Sequence, residues 1–354
     1  RFYDFGKGVK QDYNKAREYY EQAVELGNSN AMFNLGLLYK KGHGVKRNYI
    51  KAKEYYERAS ELGHSSAMFN LGLLFENGQG VEQDCNKARE YYERAAELGN
   101  SKAMVNLGVL YNNGQGVEQD CNKAKEYYER AVELGNSDAM INLGLLYKKG
   151  QGVELDYNKA KEYFERVAEL GNSSAMFNLG VLYKKGQGVE QDYNKAKEYY
   201  ERAAELGNSN AMVNLGLLYN NGQGVKQDYN KAKEYFERAA ELGDSSSMFS
   251  LGVLYKNGRG VKQDYNKSKE YYERAAELGD SDAMVNLGFL YEDGYGVKQD
   301  YNKAKEYYEQ AAELGHLKAI VNLGVLYDNG QGVKQDYNKA KEYYERAAEL
   351  GNSD

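Results

Sequence analysis

Ser29-Asn30-Ala31-Met32-Phe33-Asn34-Leu35-Gly36-Leu37-Leu38-Tyr39-Lys40-Lys41-Gly42-His43-Gly44-Val45, followed after three residues by Tyr49-Ile50-Lys51-Ala52-Lys53-Glu54-Tyr55-Tyr56-Glu57-Arg58-Ala59-Ser60-Glu61-Leu62-Gly63, decides the fold. Ala31, Leu35 and Leu38 recur at i, i+4 and i+7, with Met32, Gly36 and Tyr39 beside them, which is one face of a helix. Ser29 is expected to cap this first helix, and Gly42 to end it in a left-handed conformation. Gly36 inside the helix costs about 1 kcal/mol relative to Ala. Its return in every complete unit (Gly36, Gly72, Gly108 and onward) predicts that another helix crosses there at close range. Val45 is expected to plug the space beneath the helix pair. The second helix starts at a polar cap, Asn48 here and Asp12, Asp84 or Asp120 elsewhere. Ala52, Tyr55, Tyr56, Ala59 and Leu62 form its predicted inner stripe, Glu54 and Arg58 a surface i, i+4 pair, and Gly63 closes it.

The pattern repeats without insertion or deletion. Gly27, Gly63, Gly99, Gly135, Gly171, Gly207, Gly243, Gly279, Gly315 and Gly351 stand 36 residues apart. A fixed period in this range marks a stacked-repeat architecture. Residues 1–30 read as a partial repeat. Nine complete ones follow: 31–66, 67–102, 103–138, 139–174, 175–210, 211–246, 247–282, 283–318 and 319–354. A unit this small cannot bury a core alone, so each must cover its neighbour's apolar face. The predicted fold is all-α, one continuous α-solenoid of antiparallel two-helix repeats.

Composition narrows the partners. A net charge of −6 argues against a nucleic-acid backbone, which needs a basic face, and weakly against an anionic membrane surface. No apolar run approaches the length of a membrane span, and the N-terminus is not a signal peptide. Cys85 and Cys121 occupy a slot filled by Tyr in eight other repeats (Tyr13, Tyr49, Tyr157, Tyr193, Tyr229, Tyr265, Tyr301, Tyr337). Neighbouring repeats lie about 10 Å apart, too far for a disulfide, so two free thiols are expected. That usage fits a reducing compartment such as the cytoplasm. Pro and Trp are absent and Tyr numbers 36, which leaves Gly to punctuate the loops.

Ala31…Leu35-Gly36…Tyr39…Gly42-His43-Gly44-Val45…Lys51-Ala52…Tyr55-Tyr56…Ala59…Gly63 resembles the Sel-1-like repeat, a relative of the tetratricopeptide repeat with a longer inter-helix loop. The resemblance runs along essentially the whole chain; Tyr55 stands where the family often has Trp. It implies a right-handed superhelix acting as an adaptor or scaffold. Family members work in endoplasmic-reticulum degradation, activation of cell-wall synthases, bacterial signalling and host–microbe contact. Cysteine-rich bacterial members have been linked to β-lactam binding, but this chain lacks their paired cysteines, so that activity is not carried over.

Variation among repeats falls on the first helix and the loop. In tetratricopeptide-like arrays the first helix lines the concave groove, so by resemblance these slots face it. An apolar stripe (Phe33, Phe69, Val105, Ile141, Phe177, Val213, Phe249, Val285, Val321) runs beside an Asn ladder (Asn34, Asn70, Asn106, Asn142, Asn178, Asn214, Asn286, Asn322), broken by Ser250. Asn offers both donor and acceptor, which suits the backbone of an extended peptide. Alternatively the stripe packs against neighbouring first helices and the Asn side chains tie one repeat to the next. A carboxylate clamp is the third reading; it wants further Asn and Lys converging on one pocket, and Leu37 stands three residues beyond Asn34. The slot after the loop Val reads Lys10, Lys46, Glu82, Glu118, Glu154, Glu190, Lys226, Lys262, Lys298, Lys334, a solvated edge inherited by duplication or an acidic patch on one rim.

Catalysis has little to work with. His43, His64 and His316 lie in different repeats, without Cys or His at metal spacing. No Ser–His–acid set is visible. Gly78-Gln79-Gly80 lacks the strand–turn–helix setting of a phosphate loop. Glu57 and Glu61 are surface neighbours, the Tyr55-Tyr56 pairs read as packing, and chance explains the glycosylation patterns Asn172-Ser173-Ser174 and Asn266-Lys267-Ser268. No catalytic residue, cofactor or metal is therefore expected. Both ends read as cut: Arg1 enters a helix late and Asn352-Ser353-Asp354 starts another, without polar caps. The expectation is a monomeric segment of a longer chain, a non-enzymatic scaffold for a protein or extended peptide. The alternative is a regulatory or targeting arm of a larger enzyme such as a kinase or a synthase activator. A designed near-consensus array is the second explanation of the uncapped ends, against which the irregular drift at Phe164, Cys85, Leu155 and Arg259 speaks.

Overall fold

The computed structural model describes residues 2–6, 8 and 10–351; Arg1 and Asn352-Ser353-Asp354 lie outside the described residues. The chain divides into two compact bodies, Arg1–Leu170 and Gly171–Asp354. In the first, a short helix Phe2–Phe5 and the helix Tyr13–Glu25 precede the pairs Ser29–Lys41/Tyr49–Glu61, Ser65–Asn77/Cys85–Glu97, Ser101–Asn113/Cys121–Glu133 and Ser137–Lys149/Tyr157–Ala168. The second holds Ser173–Lys185/Tyr193–Glu205, Ser209–Asn221/Tyr229–Glu241, Ser245–Asn257/Tyr265–Glu277, Ser281–Asp293/Tyr301–Glu313 and Leu317–Asn329/Tyr337–Gly351. There is no strand among the described residues.

The helix boundaries follow from their caps. Asn28, not Ser29, caps the first helix: its extended backbone lets the side chain accept from the Ala31 amide at 3.0 Å, and Ser29 is already helical. The same Asn or Asp recurs as cap at Asn100, Asn136 and Asp244. Gly42 ends the helix at φ 75, its N–H donating to the Leu38 carbonyl. The second helix is capped by Asn48, and in other repeats by Asp84 or Asp120, as the polar pattern predicts.

Ala31, Met32, Leu35, Gly36 and Leu38 of the first helix face Ala52, Tyr56 and Ala59 of the second, all buried. Gly36 is where the two helices interlock, through a ring rather than through backbone. A Cβ built there would lie 2.6 Å from Cδ1 of Tyr56, so the glycine is the seat of the tyrosine. The same seat holds Phe164 against Gly144 and Phe236 against Gly216. Each such ring is at most about 2% exposed in the interior repeats, and full burial of one contributes about 2–3 kcal/mol. Val45 packs partly buried against this core.

Two expectations for the second helix are corrected. Leu62 is 55% exposed, not part of the inner stripe, because it is the helix C-cap and Gly63 then turns the chain away. The i, i+4 pair that forms is Lys53–Glu57 at 2.8 Å, while the Arg58 guanidinium lies over the Tyr55 ring at 5.8 Å. An exposed pair of this kind contributes only a few tenths of a kcal/mol.

Repeats are joined through their loops. The cap Asp84 closes its own loop by donating its N–H to the Phe75 carbonyl at 2.9 Å. Gly80, at φ 71, then lies so close to Tyr49 of the preceding repeat that a Cβ would stand 2.6 Å from the tyrosine Cβ. Beside it the variable loop residue rests on the same preceding slot: His43 on Tyr13 at 4.5 Å, Tyr295 on Tyr265 at 5.0 Å, Arg259 over Tyr229 at 5.7 Å. Cys85 and Cys121 fill this slot beneath Gly116 and Gly152 and are free thiols.

Candidate functional site

A first helix in the interior of a body is covered on most sides. In Ser101–Asn113 the buried residues are Ala103, Met104, Leu107, Gly108, Leu110 and Tyr111. Lys102 and Asn113 are exposed, and Val105, Asn106, Val109 and Asn112 are half-buried. Spaced i, i+3, i+4, i+7, i+10 and i+11, they form one stripe: a polar rim at each end and an apolar centre. Consecutive first helices bring these stripes together, because Lys40 Nζ donates to Asn70 Oδ1 of the next repeat at 3.2 Å. Lys184 reaches Asn214 at 3.1 Å and Lys256 reaches Asn286 at 3.3 Å in the same way.

The predicted apolar slots lie in this face. Phe33, Phe69, Val105 and Ile141 are half-buried in the first body, as are Phe177, Val213 and Phe249 in the second. Val285 is buried, and Val321 is 40% exposed. The phenylalanines also pack inward, with ring centroids 5.9 Å apart for Phe33 and Tyr56 and 5.8 Å for Phe69 and Tyr92. The Asn ladder has a different employment. Asn34, Asn70 and Asn178 are buried; Asn106, Asn142, Asn214, Asn286 and Asn322 are half-buried. Asn70, Asn178, Asn214 and Asn286 donate their amide to the carbonyl one turn back, at 2.8–2.9 Å. With Lys donating to Asn70, Asn214 and Asn286 from the repeat before, those three side chains tie one repeat to the next.

Single-position reading missed a polar junction built by three slots. Tyr92 OH donates to Glu76 Oε2 at 2.6 Å, and Tyr308 OH to Glu292 Oε2 at 2.5 Å. Burial, then the carboxylate bond, holds both phenols far above their ordinary pKa. Where the Glu76 slot holds Lys40 or Lys184, the phenols of Tyr56 and Tyr200 are buried without a partner. Comparing repeats with one another gives a partial signal, since Tyr also accompanies Lys40, Asn112, Lys184 and Lys256. Glu76, Glu292 and Asp328 each share a repeat with Tyr (Tyr92, Tyr308, Tyr344), whereas Phe164 and Phe236 accompany Lys148 and Asn220. Tyr200→Phe is therefore expected to be neutral or stabilising by up to about 1 kcal/mol, since it removes an unsatisfied hydroxyl. Tyr92→Phe should cost about 2 kcal/mol by leaving the Glu76 carboxylate unpaired. Denaturant melts of the two variants check this, and equal losses would contradict it.

A histidine serves as first-helix cap in two repeats. His64 Nδ1 accepts from the Ala67 amide at 3.2 Å, Nε2 faces Asn30 Oδ1 at 3.3 Å, and Phe33 stacks on the ring at 4.6 Å. Burial holds its pKa below the usual 6.5. Below that pH the unfolded chain takes up a proton that the folded chain resists, so stability should fall as pH falls. His64→Asn should flatten this dependence between pH 7 and 5 in thermal melts; an unchanged slope would refute the assignment.

Surface recesses recur where each loop meets the preceding second helix, lined for example by Lys53, Phe75, Val81, Asp84 and Lys87. Asp84 is occupied as a helix cap and Lys87 lies over Phe75. Among the described residues no cluster of His, Cys, Asp and Glu could hold a metal ion. No described helix is long and apolar enough to cross a membrane.

Sel1 repeats match residues 1–28, 29–64, 65–100, 101–136, 137–172, 173–208, 209–244, 245–280, 281–316 and 317–352. The chain belongs to the Sel1 repeat family. Proteins of this family generally serve as protein-interaction scaffolds and are typically not enzymes. A protective antigen present in uropathogenic Escherichia coli strains, which displays an SLR fold, is 32% identical with a TM-score of 0.67, over 98% of this chain and 74% of that one. A Sel1 repeat protein from Oxalobacter formigenes is 29% identical with a TM-score of 0.67, over 85% of this chain and 88% of that one. No curated protein matches the chain.

Proposed function

We propose that this Sel1 repeat chain is a non-enzymatic scaffold that holds a protein or an extended peptide along the half-open face of its first helices. The observation that carries the reading is the stripe typified by Val105, Asn106 and Val109, only partly buried while Ala103, Met104, Leu107, Gly108, Leu110 and Tyr111 are packed; its two apolar slots stay partly open in the other repeats too, except at Val285. Its apolar centre supplies area to bury. The Asn ladder contributes by holding the face in register, since much of its hydrogen-bonding capacity is spent within the chain, and the backbone-reading role first expected of it recedes. The recurring structure places equivalent side chains about 10 Å apart, or about three residues of extended chain.

The test is selection of twelve-residue peptides displayed against the full chain. Val105→Glu/Ile141→Glu in the first body and Val213→Glu/Phe249→Glu in the second should each weaken the selected peptides at least tenfold when their site is removed. The outward-facing Glu126→Lys/Glu162→Lys should leave them unchanged. Peptides indifferent to both face substitutions would sink the proposal.

A further inference from the structure

Repeats of this chain differ in who satisfies the buried phenol. In 65–100 and 281–316 the chain supplies a carboxylate itself, Glu76 to Tyr92 and Glu292 to Tyr308. The repeats carrying Lys40 and Lys184 hold the same phenols, Tyr56 and Tyr200, fully buried, with no acceptor. A buried hydroxyl without a partner is costly. The slot that holds Glu76 and Glu292 in 65–100 and 281–316 is here filled by an unneutralised cation: Lys40 and Lys184 each donate to one Asn of the following repeat, and neither has a carboxylate within 4.0 Å among the described residues. Burial and then the adjacent Lys41 or Lys185 push both ammonium pKa values down, as expected of a half-buried cation lacking a counter-charge. A lysine bound to an amide thus occupies the slot from which an acid satisfies the phenol in other repeats.

We propose that the Lys40–Tyr56 and Lys184–Tyr200 junctions are subsites for an acidic side chain of the bound segment, its carboxylate standing where Glu76 and Glu292 stand in their own repeats. This rests on the first-helix face being the binding surface, and it names the chemistry of the partner: an extended protein segment carrying Asp or Glu next to an apolar residue. The apolar residue meets Phe33 and Leu37, or Phe177 and Val181, which flank the junctions on the half-open face. The carboxylate accepts from the lysine ammonium and, once the lysine swings off its Asn, from the phenol. Lys256 with Tyr272 repeats the arrangement two repeats beyond Lys184, with Ser268 beside the phenol. The separation is about 20 Å, so acids about six residues apart in an extended chain could occupy both. Lys148 stands with Phe164 in its repeat, where there is no phenol to satisfy.

The experiment selects random twelve-residue peptides displayed against the full chain, then titrates the enriched peptides against variants. Enrichment in Asp and Glu is expected, with affinity falling at least tenfold in Lys40→Glu/Lys184→Glu. In the same double variant the melting temperature should rise, because the chain then supplies the acceptor that Tyr56 and Tyr200 lack; this readout also shows that it folds. Lys41→Glu/Lys185→Glu makes the same charge change one residue away and should keep affinity within about threefold. Equal losses in the two double variants would reduce the effect to general attraction and overturn the subsites. Enriched peptides without acids that are nonetheless lost in the face variant Val213→Glu/Phe249→Glu would overturn the subsites and leave the face standing. Peptides indifferent to every substitution would remove both.

Discussion

Gly144→Ala should destabilise the repeat 137–172 by about 3 kcal/mol, although the same change in an open helix interior would stabilise by about 1 kcal/mol. The added methyl would lie 2.6 Å from Cε1 and 3.0 Å from Cζ of Phe164, a ring with no exposure. Phe164 has no room to withdraw, because Ala160, Val167 and Ala168 of its own helix are buried around it. Overpacking of this kind costs about 1–3 kcal/mol and more when nothing yields, so the clash exceeds the propensity gain. Denaturant unfolding and amide exchange across 137–168 measure the effect. Gly144→Ala/Phe164→Leu should regain most of the loss by freeing the ring's volume. A single variant as stable as the parent would mean that the seat is looser than the packing shows.

Gly152→Ala should be comparably damaging, at about 3 kcal/mol, and no companion substitution should rescue it. Gly152 has φ 63, and a Cβ there would stand 2.6 Å from the Cys121 carbonyl carbon and 2.7 Å from its oxygen. The obstacle is backbone at the first residue of the helix Cys121–Glu133, so relief requires moving that helix. Gly135→Ala separates this from conformation alone. Its φ of 74 is equally left-handed, but nothing lies within 4 Å of the added methyl, so only the backbone term of about 1–2 kcal/mol applies. The loss at Gly152 should appear as faster exchange on both sides of the junction between 101–136 and 137–172. Equal losses at Gly135 and Gly152 would show that the loops do not couple repeats through this contact.

Regularity made much of this legible. Ten equivalent glycines and an apolar pattern at helical spacing determine where helices begin and end, because capping and left-handed turns are local properties of a few residues. The caps at Asn48, Asp84 and Asp120 follow from that, as do the inward faces of Ala31, Leu35, Ala52 and Ala59 and membership in the Sel1 repeat family. The one-residue shift of the first cap from Ser29 to Asn28 is the kind of ambiguity that two adjacent capping residues create.

Side-chain partnership was decided only in three dimensions. Helical periodicity placed Leu62 with the inner stripe, but the turn at Gly63 left it open to solvent. Glu54 and Arg58 have the right spacing to pair, yet Arg58 found the Tyr55 ring. The Asn ladder reads as a row of free donors and acceptors in the sequence; in the fold Lys40, Lys184 and Lys256 reach it from the preceding repeat. The chain by itself thus determined the two-helix repeat and its faces, since these depend on residues a few positions apart. Which phenol meets a carboxylate and which is left beside a lysine depends on groups 16 and 30 residues apart, and only the packing of helix on helix brings them within hydrogen-bonding reach.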